Sequence, residues 1–340
     1  MKDKDISPLI RDKAPLILAE IKKAKSILLH CHPSPDPDSV GSALAMKFAL
    51  ESLGKKATVI KGDSDIPQAF MHFPGANSIV PKNFGEVDLK DFDLFISLDS
   101  STIDRISSGC AKNFNPPFKV INIDHHRLNQ MFGSINLVEE TYPATAQILF
   151  DLFSKWKIVL TPEIAANLYI GIYTDTGGLK YRNTTAHSYL VMAELVNEFP
   201  DFYNMISPLD NSNTPGSLAY EGYALSHIET FLDGRLAIAV VPYSFFKEKN
   251  INERDMEGIQ ISPILRTVIG WDIDVALVEI VPQQIKIGFR TRDENAYDVS
   301  KLSAALGGGG HKAAAGAVLN MPLDEAKRQV VAKAKELYNL

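Results

Sequence analysis

The chain has 340 residues, 45% of them hydrophobic, which is enough for two domains that each bury a core. Its 35 Lys and Arg against 41 Asp and Glu leave a formal charge of −6, which argues against a protein that grips long duplex nucleic acid by neutralising many phosphates. The longest apolar runs, such as "KSILL" and "GRLAIAVV", are strand-length and fall far short of the roughly 20 residues of a membrane-spanning helix, so no membrane partner is expected.

The amino-terminal "MKDKDISPLIRDK" mixes charges and has no apolar stretch followed by small residues, so a cytoplasmic location is expected. Two cysteines, Cys31 and Cys110, cannot build a disulfide framework and are expected to pack as small hydrophobes. The segments "SILLH", Ser39 to Leu53, "KATVIK", "DLFISLD" and "KVINID" alternate strand and helix patterns, which predicts a parallel sheet flanked by helices. A Pro-started helix over "TPEIAANLYIGIYTDTGG" and another from about Thr185 to Glu198 close this half. The Pro-, Asn- and Ser-rich stretch after it reads as a linker, giving domains at 1–198 and 217–340 joined by 199–216. The second domain is a smaller α/β unit: a helix from Leu218 to Phe231, strands "RLAIAVVP", "DIDVALVEIV" and "QIKIGFRT", a helix near Val299 to Leu306 and a last helix after Pro322.

Parallel sheets of this kind bind ligands beyond the carboxyl ends of their strands. Three apolar runs end there in acidic or histidine-rich turns. "ILLH" leads into "CHPSPDPD", placing His32, Asp36 and Asp38 in one loop; for this segment alone, a plain helix cap at Asp38 or Ser39 serves equally well. "LFISL" ends in Asp99, which by itself could cap a turn. "VINI" runs into Asp124, His125 and His126, three titratable groups at one strand end, and Asp175 in "YTDTGG" adds a fourth acidic turn. Imidazole with carboxylate and little cysteine suits Mn or another borderline divalent ion rather than structural zinc. Together these groups are the ingredients of a two-metal site, in which ions about 3.5 to 4 Å apart clamp the attacking and leaving oxygens of a phosphoryl displacement.

The ordered set "HPSPDPDSVGSA", "SLDSS", "IDHH", "YTDTGG" and "GGGGHKAAAG" resembles the DHH phosphoesterase superfamily with its DHH-associated carboxyl-terminal domain, over most of the chain. Within that superfamily, size and the glycine-rich ending look like the nanoRNase and pAp phosphatase branch. The resemblance implies an α/β fold with the active site in an interdomain cleft. It implies His32, Asp36, Asp38, Asp99, His125 and Asp175 as ligands of two divalent ions, most readily Mn, with Co or Mg able to substitute. Asp99 would bridge them, Asp124 would orient a histidine, and His126 would face the substrate phosphate. Pro37 departs from the glycine of many relatives and puts the geometry of that loop in doubt, and His30 is expected to be structural.

For the substrate end, Gly308, Gly309, Gly310 and His311, with Lys312, form an expected anion cradle, although four glycines alone usually make a flexible joint. Arg290 matches a substrate-binding arginine of the superfamily, Arg292 is expected on the same strand face, and Arg182 is a further phosphate contact. The expected substrates are short RNA, a linear dinucleotide such as pApA, or pAp. Competing readings are a cyclic-dinucleotide phosphodiesterase, an inorganic pyrophosphatase or exopolyphosphatase, a single-strand exonuclease, and a noncatalytic nucleotide sensor. Pyrophosphatases usually bind phosphate through a cluster of basic residues in the second domain, whereas this chain has the glycine-rich histidine motif of nucleotide-acting members, and the intact acid set argues against the sensor. A homodimer is left open.

Overall fold

The computed structural model describes residues 6–109, 114–211, 213–256 and 261–340. Cys110 lies outside these, whereas Cys31 is fully buried, and burial pushes its thiol up to about 12, as suits a packed, unreactive side chain. The chain divides into two compact units, Met1–Asn211 and Ser212–Leu340. Among the described residues no helix is long and apolar enough to cross a membrane.

The first unit is built on five parallel strands in the order β2-β1-β3-β4-β5: β1 Ser26–His30, β2 Lys56–Ile60, β3 Leu94–Leu98, β4 Lys119–Asp124 and β5 Ile135–Val138. The central strands read as unbroken apolar runs because both faces are covered. Ile27, Leu29, Ile96 and Ile121 meet one face's core, where helices α1 (Pro8–Lys23), α2 (Pro37–Ser52), α3 (Thr145–Trp156), α4 (Pro162–Asp175) and α5 (Ala186–Glu198) contribute. Leu28, Phe95 and Val120 meet the other, which is closed by Phe84, Ile106 and 3₁₀ turns in place of long helices.

Three helices start alike: Ser7, Asp36 and Thr161 each accept a backbone N–H with the side chain, and Pro8, Pro37 and Pro162 take the next position. Proline there is pre-set for the helix and forfeits no bond, since that N–H has no intrahelical acceptor. This accounts for Pro37: it is the first residue of α2, not a distortion of the loop. The stretch 199–216 contains helix α6, Tyr203–Asp210, which buries Met205 and belongs to the first unit. Its period was hidden by the Pro and Asn residues around it.

The second unit holds α7 (Pro215–Ser226) and a six-stranded sheet in the order β10-β11-β9-β8-β7-β6, formed by β6 Ile228–Phe231, β7 Leu236–Val241, β8 Ile273–Val281, β9 Gln284–Thr291, β10 Gly309–His311 and β11 Ala314–Asn320. Short helices α8 (Tyr243–Lys249), α9 (Glu253–Met256) and α10 (Ile261–Leu265) lie between β7 and β8, and α11 (Val299–Ala305) and α12 (Leu323–Tyr338) follow β9 and β11. The helix expected from Leu218 to Phe231 stops at Ser226. Beyond it Ile228–Phe231 pairs antiparallel with Leu236–Ala239 across a turn whose residues Leu232, Asp233 and Gly234 all have positive φ, an Asp-Gly hairpin signal that outweighs the helical pattern. Alternate residues of β8 and β9, such as Val275, Leu277, Ile287 and Phe289, bury against α11 and α12.

Asp274 on β8 is fully buried, and neither carboxylate oxygen has a hydrogen-bond partner among the described residues. Burial raises its carboxyl from 3.8 to about 7 against the pull of Arg292 and Arg266. A group that holds its proton more tightly when folded lowers stability as pH rises from 3.8 to about 7. Asp274→Asn is therefore expected to raise stability by about 2 kcal/mol at pH 8 and by less at pH 5. Urea titrations at the two pH values check this, and an equal change at both would show that ionisation is not the source.

Candidate metal centre

The carboxyl ends of β1, β3 and β4 lie side by side in one parallel sheet, so the turns that follow them meet at a single edge. His32 follows β1 and is buried. Its Nδ1 donates to the Pro33 carbonyl at 3.0 Å, which turns Nε2 toward two carboxylate oxygens, Asp36 Oδ2 and Asp99 Oδ2, each at 3.3 Å. Asp99 follows β3 with φ of 53°, a left-handed conformation unusual for a residue with a Cβ and a mark of local strain at a functional turn. Its other oxygen, Oδ1, is 3.4 Å from His125 Nε2 and accepts from Thr145 Oγ1 at 3.1 Å. Asp124 ends β4, with His125 and His126 directly after it.

Asp38 and Asp175 reach this edge from the helices. Asp38, in the first turn of α2, is fully buried and accepts from the backbone N–H of Thr145 at 2.7 Å and of Ala146 at 3.0 Å, so it also caps α3. Asp36 does the same for α2 through Ser39 N at 2.9 Å. Two helix amino termini thus point partial positive charge at the acids. Helices α2 and α4 come close enough for this because glycines face them: a Cβ on Gly171 would sit 2.6 Å from Asp38 Oδ1, and one on Gly41 would sit 2.4 Å from the Asn167 carbonyl oxygen. Asp175 is the last residue of α4 rather than part of the turn beyond it, and its Oδ2 lies 3.5 Å from His125 Nε2.

Three groupings emerge whose donor atoms lie within 4.8 Å of one another: His32, Asp36 and Asp99; Asp38, His125 and Asp175; and Asp99, Asp124, His125 and His126. All six residues expected as ligands are therefore in these groups, and Asp99 and His125 each belong to two of them. The donors fit a divalent cation on two counts. Among the described residues His125 Nε2 is buried without a hydrogen-bond partner, its carboxylate neighbours standing 3.4 and 3.5 Å away. The protonation of the cluster is also distorted. Burial opposes charge on His32 and His125, yet Asp36 and Asp99 for the former and Asp99 for the latter hold both near 10. Burial and the Asp99 charge push Asp38 to about 7 and raise Asp175 well above the carboxylate range, while Asp99 stays low, burial being outweighed by the two histidines. Too many acids share one edge, and protons stand where cations would.

His30, expected to be structural, is buried, packs against Phe95 at 5.3 Å between ring centroids and meets Ser97 Oγ at 3.1 Å; burial lowers it to about 3, so it is neutral. Arg182 is exposed seven residues beyond Asp175, in a loop tied back by Asn183 to the Asp175 carbonyl at 3.1 Å. Thr145, the first residue of α3, and Asn129, in the turn after β4, are hydrogen-bonded within the cluster and carried no signal in the sequence.

In the second unit the glycine run is not a joint. Gly309–His311 forms β10 against Ala314–Gly316, and a Cβ on Gly308 would stand 2.2 Å from the Gly316 carbonyl oxygen, which gives that glycine a packing reason. Gly309 and His311 are exposed. Arg290 lies on β9, donates to the Phe289 carbonyl at 2.9 Å and lines a cavity of about 740 Å³ with Lys286, Gly288, Ser262 and Gly316. Arg292, expected on the same strand face, falls one residue past β9. Its guanidinium is engaged by the carbonyls of Arg266 and Thr267 at 2.8 and 2.9 Å, so it holds the end of the α10 segment.

Residues 26–172 match the model of the DHH family, N-terminal domain. The bifunctional oligoribonuclease and PAP phosphatase NrnA of Thermus thermophilus is 31% identical over 327 residues, covering 94% of this chain and 93% of that protein. The chain belongs to the DHH family of phosphoesterases. A second DHH relative, the probable bifunctional oligoribonuclease and PAP phosphatase NrnA of Streptococcus mutans, is 27% identical over 88% of this chain and 92% of its own length. The fold of this DHH protein is shared with the crystal structure of an exopolyphosphatase-related protein from Bacteroides fragilis, with a TM-score of 0.86 over 97% of both chains at 23% identity.

Proposed function

We propose that this phosphoesterase uses two divalent ions to hydrolyse short oligoribonucleotides and linear dinucleotides to mononucleotides, and pAp to AMP. The observation that carries the reading is Asp99: one carboxylate oxygen faces His32 and the other faces His125, each within its own His/Asp grouping. A carboxylate that offers one oxygen to each of two donor groups suits a pair of ions held close together. The names of the Thermus and Streptococcus relatives support the substrate class.

On this reading His32, Asp36 and Asp99 hold one ion, and Asp38, Asp99, His125 and Asp175 the other, with manganese favoured by the imidazole and carboxylate donors. When bound, the ions supply an activated water and offset charge on the phosphoryl oxygens. The protein's own groups do the rest. His32 is held in one tautomer by Pro33, and Thr145 fixes the Asp99 oxygen that faces His125. Asp124 accepts from His126 Nδ1 at 2.7 Å, so the ring's Nε2 is the free position. Burial disfavours charge on His126, but Asp124 and the Asp99 charge raise its pKa, which suits a donor of a proton to the leaving oxygen. Arg290, Gly308, Gly309, Gly310 and His311, with Arg182, recognise the substrate's phosphate.

The test is AMP release from pApA by the purified chain, with manganese and with a chelator, beside pAp and pyrophosphate. Metal-dependent AMP release without pyrophosphate cleavage is expected. Phosphate from pyrophosphate with no AMP would overturn the substrate class, and no turnover of any of the three would overturn the enzyme reading.

A further inference from the structure

His126 is half-exposed, and among the described residues its ring is steered by one strong hydrogen bond, from Nδ1 to Asp124 Oδ1 at 2.7 Å; the next carboxylate, Asp99, is 3.7 Å away. The ring therefore points wherever Asp124 points. Asp124 is fully buried, and its Oδ1 also accepts the His125 N–H at 2.9 Å. What stops this carboxylate from turning about its own bond is the other oxygen. Oδ2 accepts from Asn129 Nδ2 at 2.6 Å.

The same amide nitrogen lies 2.8 Å from Asn122 Oδ1 and 3.2 Å from the Ser100 carbonyl, which also accepts from Asn122 Nδ2 at 3.0 Å. Ser100 is the residue after Asp99, and the neighbouring Gln130 N–H donates to the Ser101 carbonyl at 2.8 Å. Asn129 is itself pinned, its Oδ1 accepting from Met131 N at 2.7 Å. One side-chain amide thus joins the turn that carries Asp99 to the carboxylate that aims His126. We propose that Asn129 is a positioning residue: it locks Asp124, and through it His126, relative to Asp99.

The inference deepens the proposed function, resting on His126 as the proton donor of that reaction. As the bond from phosphorus to the leaving oxygen breaks, the Nε2 proton passes to that oxygen and the ring becomes neutral. Without Asn129 the buried Oδ2 loses its donor, a change that favours rotation of Asp124 and misdirects the ring. The loss should then appear only where the leaving group needs a proton.

The experiment compares the full-length wild type with Asn129→Ala and with Asn129→Leu, which keeps the volume, on pApA and on the p-nitrophenyl ester of a nucleoside 5′-phosphate, whose leaving group departs as the anion. For pApA, kcat should fall about 30- to 100-fold with KM within about threefold, and for the p-nitrophenyl ester kcat should fall less than about threefold. Equal losses on both substrates would overturn the proposal, because loss of metal or of folding does not discriminate between leaving groups. A second readout needs no turnover. In magnesium, the imidazole ¹⁵N–¹H signal of His126 Nδ1, assigned by its loss in His126→Gln, should be sharp in the wild type and exchange-broadened in both Asn129 variants. An undisturbed signal would overturn the positioning role even if the wild type cleaves neither substrate, an outcome that would count separately against the proposed function.

Discussion

Asp99→Asn lowers kcat on pApA by at least about 10³-fold, the largest effect expected of any single substitution in this chain. The side chain keeps its shape, so packing against Thr145 survives. What changes is one of the two faces: an oxygen that accepted becomes an NH₂ that donates, turned toward His32 or His125, and a negative charge between two histidines is gone. The metal-free protein should lose stability too, because His32 and His125 hold the Asp99 carboxyl well below its ordinary range and are themselves raised by its charge. Asp38 and Asp175 are raised partly by the Asp99 charge, so relief of that repulsion offsets only part of the loss. Thermal melts of metal-free wild type and variant, beside AMP-release kinetics, separate the two effects. A variant that retains more than a tenth of the activity would remove Asp99 from the centre of the mechanism.

Chelation should destabilise the first unit and leave the second as it was. A ligand at 100 to 1,000 times its dissociation constant adds about 3 to 4 kcal/mol to the state that binds it, which for a unit of this size is a melting shift of about 5 to 15 °C. The sign of its pH dependence follows from the cluster. His32 and His125, near 10 without metal, carry protons at neutral pH that a cation must displace. Their contribution to metal-free stability is complete below the ordinary histidine value of 6.5 and is lost as pH rises toward about 10. Asp38, raised to about 7, costs stability as pH climbs from 3.8 to that value. Raising the pH thus weakens the metal-free form and strengthens binding, so the melting gain from manganese should be larger at pH 8.5 than at pH 6.5. Differential scanning at both values, with and without chelator, reads it directly; a gain that shrinks with pH would mean that the cation does not replace these protons.

The sheet edge was legible because three strands end in chemistry: His32, Asp99 and Asp124 each follow an apolar run long enough to be a buried strand, and parallel strands bring their carboxyl ends together. The conformations within the turns were not. The left-handed φ of Asp99 and the place of Asp175 as the last residue of α4 depend on helix packing that no local pattern encodes. Asn129 was silent for a related reason, since its three acceptors come from turns and strands up to 29 residues apart in sequence. In the second unit, the hairpin at Asp233-Gly234 was misread where a helical period ran into a turn signal, and in the glycine run, read as an anion cradle, the close strand pairing that demands a missing side chain at Gly308 left no local pattern.

Asp36 and Asp38 each cap a helix with the carboxylate that also faces the histidines. The two duties narrow what sequence drift can do. Asparagine at either place keeps a cap and loses the charge, glutamate keeps the charge and moves off the cap, and alanine loses both at a cost of about 1 kcal/mol to the helix. Among the described residues Asp175 shows no such second duty; its carboxylate lies 3.5 Å from His125. A lineage sliding from catalysis toward mere nucleotide binding would therefore find its open door at position 175, where an acid can be surrendered without loosening the scaffold, while positions 36 and 38 would be among the last to change.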